Sequence, residues 1–542
     1  MNASAELQAL YQKVGLPRQP DIIVILTDQE RHPVHWPGGF LDTLSSWKRL
    51  KKHGLSFERA YTSACMCTPS RGVMITSNYA NLTGLTMTPG ELSYSDPRIP
   101  KLAALMQDKG YDVVWKGKWH LSTPCDVMQW SPYDIGNMEQ QYGFSDWNPP
   151  DAGTVTGFST YESWATAGSG KPGYANAAND KRYLRKYGPG VDAHGFGEGA
   201  IDFLKARAHG RKRRDAAAMR PFLMFMSFVN PHDINFFPDG WQKFGYTEAD
   251  IQPLMIGLPG NAVDSLLTKP RIQSVIRNIM NKGTPLIGQE ELAMDTTRPA
   301  VQPDQADTTE NYVNFYAYMT KFANDLVDEF LDAVELHDFH ENALIIRTSD
   351  HGEMGLSHGM REKVYNVYEE TIHIPLVIHN RKLFKDAQVT DALYAHVDFL
   401  PTLLQLAGGE PSRLMKGKSL VPTILNPKQQ VQDTILFCYD DESAMISDLD
   451  HLCHIRAIRH RHFTYAVYFS PNLPGQYQYE MYDLDKDRGQ MHNLLYQPDE
   501  APPEVRRHWS RLQDLLNEKL VEAGQMPFPP IHEALAMQTA GG

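Results

Sequence analysis

Short runs rich in Val, Ile, Leu or Phe alternate with amphipathic stretches along this chain, the pattern of an α/β protein with a largely parallel central sheet. Four of the runs end alike. Residues 22–26 lead into Asp28-Gln29, residues 113–115 into Lys118 and His120, residues 222–229 into Asn230-Pro231-His232-Asp233, and residues 343–346 into Ser349-Asp350-His351-Gly352. Ligands bind beyond the carboxyl ends of the strands in open parallel sheets. Four strands with titratable or metal-binding side chains at those ends therefore aim them at one place.

Residues 100–110 and 322–334 read as helices. In the second, Phe322, Leu326, Val327, Phe330, Leu331 and Val334 make an apolar stripe, with Asn324, Asp325, Asp328 and Glu329 on the outward face. Residues 151–197 are rich in Gly, Ala and Tyr with weak periodicity and read as loops over the site. After Leu420 the chain turns at Pro422 and Pro427; residues 434–438, 463–468 and 479–484 then read as short strands and 503–523 as a helix. The expected organisation is an α/β domain over 1–430 and a smaller α+β domain with an extended tail over 431–542. The tail, Met526-Pro527-Phe528-Pro529-Pro530-Ile531, is apolar and proline-stiffened. It is expected to pack on its own C-terminal domain or on a neighbouring subunit, giving a homo-oligomer.

Composition narrows the function. The 542 residues can bury a large core, and a formal charge of −13 argues against a nucleic-acid partner. Any anion-binding pocket must then be built from local cations working against the global field. Five cysteines, at 65, 67, 125, 438 and 453, are too few for a disulfide scaffold, and the Cys65/Cys67 pair lacks the second pair a structural zinc site needs. Glu6 and Lys13 interrupt the apolar residues of the first segment, and no apolar run approaches the about 20 residues that span a bilayer. A cytoplasmic protein without membrane contact is the expectation. Ala165-Thr166-Ala167-Gly168-Ser169-Gly170-Lys171-Pro172 lacks the first glycine of a phosphate-binding loop, and the basic run at 211–214 reads as a solvated loop.

The run Cys67-Thr68-Pro69-Ser70-Arg71 joins an oxidisable side chain, a helix-starting proline and a fixed cation. Proline presets φ for a first helical turn, so Cys67 falls at a helix N-terminus, where free N–H groups favour an anion, and Arg71 adds a planar charge one turn along. The plainer reading of Cys67 is a buried packing residue. Asp28, Asp350 and the oxygens of an oxidised Cys67 are hard ligands suited to a divalent cation, with His351 as a possible imidazole ligand.

The pentapeptide resembles the C-x-P-S-R signature of the formylglycine-dependent sulfatases. Thr27-Asp28-Gln29, Gly117-Lys118-Trp119-His120, Pro231-His232 and Ser349-Asp350-His351-Gly352-Glu353, with Lys363 after His358, resemble that family's successive active-site blocks in order. Asp398-Phe399-Leu400-Pro401-Thr402 and Lys416-Gly417-Lys418-Ser419-Leu420 are similar to its later landmarks, and Tyr482-Asp483-Leu484 with Asn493-Leu494 to its C-terminal domain.

The resemblance implies an alkaline-phosphatase-like α/β fold, with a large, mostly parallel mixed sheet between helices and a smaller α+β C-terminal domain. It implies hydrolysis of an aryl or alkyl sulfate monoester by the hydrate of a formylglycine made from Cys67 by a formylglycine-generating enzyme. One divalent metal ion, Mn2+ or Ca2+, would be held by Asp28, Cys67, Asp350 and His351. Arg71, Lys118 and Lys363 would neutralise the sulfate, His232 would protonate the leaving oxygen, and His120 would take a proton from the second hydroxyl. Gln29 and Asn78 are the substrate-binding candidates. Gln29 and His351 stand where many sulfatases carry Asp and Asn, which is closer to the branch containing choline sulfatases and phosphonate monoester hydrolases, and imidazole shifts the metal preference towards manganese. Hydrolysis of phosphonate monoesters or phosphodiesters at the same site is the alternative. A non-catalytic anion-binding protein is the reading if Cys67 stays unmodified.

Overall fold

The computed structural model describes residues 3–36, 38–123, 132–148, 180, 199–237, 246–251, 254, 256–281, 306–441 and 452–531. Its strands are β1 (Asp21–Asp28), β2 (Gly54–Phe57), β3 (Ala60–Tyr61), β4 (Asp112–Gly117), β5 (Ser145–Asn148), β6 (Phe222–Pro231), β7 (Ala343–Ser349), β8 (Leu376–His379), β9 (Gln388–Thr390), β10 (Tyr394–Ala395), β11 (Thr434–Tyr439), β12 (His454–His460), β13 (Phe463–Phe469) and β14 (Gln478–Asp483). Eight of them form one sheet in the order β5-β4-β6-β1-β7-β8-β2-β9. The pairings β4–β5, β4–β6, β1–β6, β1–β7 and β2–β9 are parallel, whereas β8 runs antiparallel to β7 and β2. The four runs whose ends carry chemistry are thus the adjacent strands β4, β6, β1 and β7.

These strands lack a polar face because both sides of the sheet are covered. Ile22, Val24 and Leu26 join Leu223, Phe225, Leu344 and Ile346 in one core, packed with the helix Phe399–Leu406. Ile23 and Ile25 point the other way, with Met224, Met226 and Ile345, against the helix Ala306–Leu336. That helix is longer than its apolar stripe suggests, and one residue assigned to its outward face is buried: the Asn324 carboxamide oxygen accepts from Ser46 N (3.1 Å). An amide that caps a neighbouring helix start is worth burying.

The smaller sheet is an antiparallel meander, β11-β12-β13-β14, packed on the helix Pro503–Glu522. Strand β12 is missed by pattern reading because His454, Arg456, Arg459 and His460 interrupt its apolar residues. The proline-rich arm folds back on this unit: Phe528 N donates to Asn517 Oδ1 (2.8 Å), Asn517 Nδ2 donates to Phe528 O (3.0 Å), and the Phe528 ring packs edge-on against Phe469. The basic run closes the helix Ala200–Lys212, where Arg211 forks onto the buried Asp21 carboxylate and is no solvated loop residue. Apart from Asp180, residues 151–197 and the phosphate-loop-like run lie outside the described residues. Among the described residues no helix is long and apolar enough to cross a membrane.

Candidate active site

Register places the acidic pair. Thr27 on β1 lies opposite Ser349 on β7, so Asp28 and Asp350 emerge side by side at two parallel strand ends. The helix Cys67–Thr76 starts at Cys67, and Ser70 Oγ donates to Asp350 O (2.6 Å), locking that first turn onto the end of β7. Cys67 Sγ comes 3.2 Å from His351 Nε2 and 3.6 Å from Asp28 Oδ1. From β4, Lys118 Nζ reaches Asp28 Oδ2 (2.6 Å) and stands 3.9 Å from Cys67 Sγ. All of these side chains are buried.

One ligand atom each from Asp28, Cys67, Asp350 and His351 lies within 4.8 Å of the others. His351 Nδ1 is 3.0 Å from Gly352 O, a carbonyl that can only accept, so Nδ1 carries the proton and the Nε2 lone pair is left pointing at the cluster. His232 Nδ1 is buried with no hydrogen-bond partner among the described residues. Two carboxylates, an imidazole lone pair and an orphaned polar atom fit a divalent cation with an anionic ligand.

The electrostatics separate the two carboxylates. Burial opposes ionisation of Asp28, but Lys118, His232, Arg71 and His351 outweigh it and hold that carboxyl well below the usual range. Burial and the neighbouring Asp28 charge push Asp350 up. Burial, then Asp28, pushes the Cys67 thiol up to about 12. Unmodified, that sulfur is a thiol and a poor nucleophile. His120 and His232 are both held well below the ordinary imidazole range, first by burial and then by Lys118.

Residues 20–409 match the description of the sulfatase family, and residues 356–518 match that of the N-sulphoglucosamine sulphohydrolase C-terminal region. The chain belongs to the sulfatase family. It is a sulfuric ester hydrolase with the alkaline-phosphatase-like fold. Among curated relatives, an N-acetylglucosamine-6-O-sulfatase of Bacteroides thetaiotaomicron is 24% identical over 88% of this chain and 83% of the relative. An ulvan-active sulfatase of Formosa agariphila is 24% identical over 94% and 82%. Among solved structures, one in complex with its substrate D-glucosamine-2-N,6-O-disulfate superposes with a TM-score of 0.63 at 19% identity, covering 93% of this chain and 98% of that one. The phosphonate monoester hydrolase of Silicibacter pomeroyi gives a TM-score of 0.65 at 18% identity, covering 93% and 96%.

Within this sulfatase two of the expected site residues make extensive contacts with the protein itself. The fully buried Arg71 guanidinium donates from Nε to Asp350 Oδ2 (2.9 Å), from Nη2 to Asp28 Oδ2 (3.1 Å), and from Nη1 to Lys118 O (2.8 Å) and Ser227 Oγ (3.0 Å). It braces the two carboxylates. Asn78 Nδ2 donates to Thr76 O (3.0 Å) and Leu414 O (3.0 Å), which ties the turn after the nucleophile helix to a later loop, while Oδ1 is buried with no hydrogen-bond partner among the described residues.

Gln29 sits in the cluster. Its Nε2 donates to Glu353 Oε2 (2.5 Å) and Glu362 Oε2 (3.1 Å), its backbone N donates to Asp350 Oδ1 (3.1 Å), and its Oε1 accepts from Lys363 Nζ (2.7 Å). Lys363 also pairs with Glu362 (3.0 Å); burial alone would favour the neutral amine, but Glu362 raises its pKa and keeps the charge. Sequence reading missed Glu362, Ser227 and Asp180. The Asp180 carboxylate accepts from Val229 N (2.7 Å) and Asn230 N (3.0 Å) and so fixes the strand end that presents His232. Only spatial proximity reveals that group, since Asp180 is about fifty residues from its partners.

Proposed function

We propose that this sulfatase hydrolyses small sulfate monoesters through residue 67 after a formylglycine-generating enzyme has converted Cys67 to the aldehyde. The observation that carries the reading is the meeting of Cys67, Asp28, Asp350 and His351 in one buried cluster beside Lys118. The aldehyde hydrate supplies one hydroxyl to attack sulfur and a second that lets sulfate leave by C–O cleavage. A divalent ion held by Asp28, Asp350, His351 and residue 67 would polarise a sulfate oxygen and acidify the attacking hydroxyl.

The chain's own side chains do the rest. Lys118 and Lys363 offset the charge of the sulfate, working where burial strengthens each interaction. His232, neutral in the free site, would take up the proton destined for the leaving oxygen once the anionic ester is bound beside it, and His120 accepts one from the second hydroxyl. Arg71 holds Asp28 and Asp350 in register without touching the ester. Phosphonate monoesters are near-isosteric tetrahedral anions, and the fold is shared with phosphonate monoester hydrolases, so they belong in the test.

The experiment pairs mass spectrometry with a substrate panel. The peptide containing residue 67 is expected to be lighter by about 18 Da than the cysteine form, by atom counting. Sulfate release is expected from aryl sulfates, choline sulfate or N-acetylglucosamine 6-sulfate, faster than release of alcohol from phosphonate esters. An unmodified peptide in turning-over enzyme, or turnover of phosphonates alone, overturns the reading.

A further inference from the structure

A second cluster of metal-binding side chains lies apart from the catalytic four, in the cleft of about 610 Å³ between the large sheet and the C-terminal meander. We propose that His35, His373 and Glu369 bind a divalent transition ion of the zinc class there. Ligand atoms of the three residues lie within 4.8 Å of one another. His35 Nε2 and His373 Nδ1 are 3.0 Å apart, and Glu369 Oε2 is 3.7 Å from His373 Nδ1. Two nitrogens each about 2.0–2.1 Å from one zinc ion would stand about 3.0–3.4 Å apart, so the imidazoles need little rearrangement.

The surroundings orient each ligand. His373 Nε2 is 2.9 Å from Glu58 O, which can only accept, so Nε2 carries the proton and Nδ1 offers its lone pair. A carbonyl behind a ligating histidine is the usual outer-shell partner. The His373 ring is fixed between His32, stacked with centroids 3.9 Å apart, and Tyr61, stacked at 5.0 Å. Both Glu369 oxygens are anchored, Oε1 by Arg459 Nε (3.1 Å) and Oε2 by Tyr61 OH (3.2 Å). Without an ion, His35 donates to His373; moving its proton to Nδ1 leaves a lone pair on each of the two facing nitrogens.

An ion there would join three parts of the chain. His35 belongs to the loop after β1, Glu369 and His373 flank a short helix, and that helix's carbonyls accept from the catalytic turn: Gly352 N donates to Thr371 O (2.8 Å) and Glu353 N to Glu370 O (2.9 Å). Arg461 and Arg488 also line the cleft and suit water or an anion as the remaining ligand.

The test is zinc binding by the full chain, read as zinc per chain by elemental analysis after gel filtration and as affinity by calorimetric titration. The catalytic-site variant Asp350→Ala is expected to retain one zinc, and the wild type that zinc in addition to the ion of the catalytic cluster. His35→Ala, at a half-buried position, is expected to lose that zinc or weaken it at least 10-fold, with turnover of sulfate ester and thermal unfolding close to wild type. His35→Gln and Glu369→Gln are the second variants. Cobalt(II) gives an independent reading through a visible absorption band that should vanish in His35→Ala. Unchanged zinc stoichiometry and affinity in His35→Ala, or no zinc in folded Asp350→Ala, overturns the proposal.

Discussion

Arg71 Nε stands 2.9 Å from Asp350 Oδ2, while Nη2 of the same guanidinium reaches Asp28 at 3.1 Å, so one cation clamps the two carboxylates that begin the catalytic cluster. All three side chains are fully buried. Removing one member of such a group strands the others, at a cost of about 3–5 kcal/mol. Arg71→Ala is expected to lose that much stability in chemical denaturation and to lose the ion at Asp28 and Asp350 in elemental analysis. Arg71→Lys keeps the charge but lacks the fork, and should recover only part of both. A variant with wild-type stability and metal content but a raised KM would return Arg71 to the substrate.

Cys67→Ser leaves an oxygen at the N-terminus of the helix Cys67–Thr76 but provides only one hydroxyl. Sulfate could transfer to that serine, yet no second hydroxyl is present to expel it. The expected outcome is loss of steady-state turnover, with a trapped adduct about 80 Da heavier by atom counting, after long incubation. Cys67→Ala should show neither. Multiple turnover by the serine variant would favour a phosphatase-like serine mechanism.

Much of this site is legible in the sequence because parallel strands deliver their C-terminal residues to one edge. Asp28, Lys118, His232 and Asp350 each follow an apolar run, and the helix after Cys67 starts where Pro69 suggests. The use of each charge is a different matter. Arg71 reads as a substrate cation until the distances show both carboxylates occupying its donors. Likewise β12 carries Arg459 among its apolar residues because that side chain reaches back to Glu369 across some ninety residues, a pairing that no local pattern encodes.

Gly352 is fixed by crowding. A Cβ there would stand 2.1 Å from Glu370 O, a backbone atom that cannot swing away. Gly352→Ala should displace the turn after Asp350-His351 and cost about 1–3 kcal/mol, the usual range for overpacking. Activity should fall further than stability, since the displaced residues adjoin His351. Comparing thermal unfolding with kcat separates the two effects; unchanged values for both would show that the turn yields freely.

Acid sensitivity should include a contribution from His379 on β8, buried under the helix Ser45–Lys52, where His379 Nδ1 donates to Leu50 O (2.9 Å). Burial lowers its pKa from 6.5 to about 4, against the opposing effect of that hydrogen bond. The unfolded chain therefore binds a proton between pH 6.5 and about 4 that the folded chain refuses. Stability from this group is fully present above pH 6.5 and falls as pH drops towards 4, by about 3 kcal/mol over the window. His379→Gln keeps a donor for Leu50 O without a titrating ring. Its stability, measured by denaturant unfolding from pH 7 to pH 4.5, should decline less steeply than that of the wild type, even if its value at pH 7 is lower. Parallel curves for the two proteins would show that His379 titrates alike in the folded and unfolded chain.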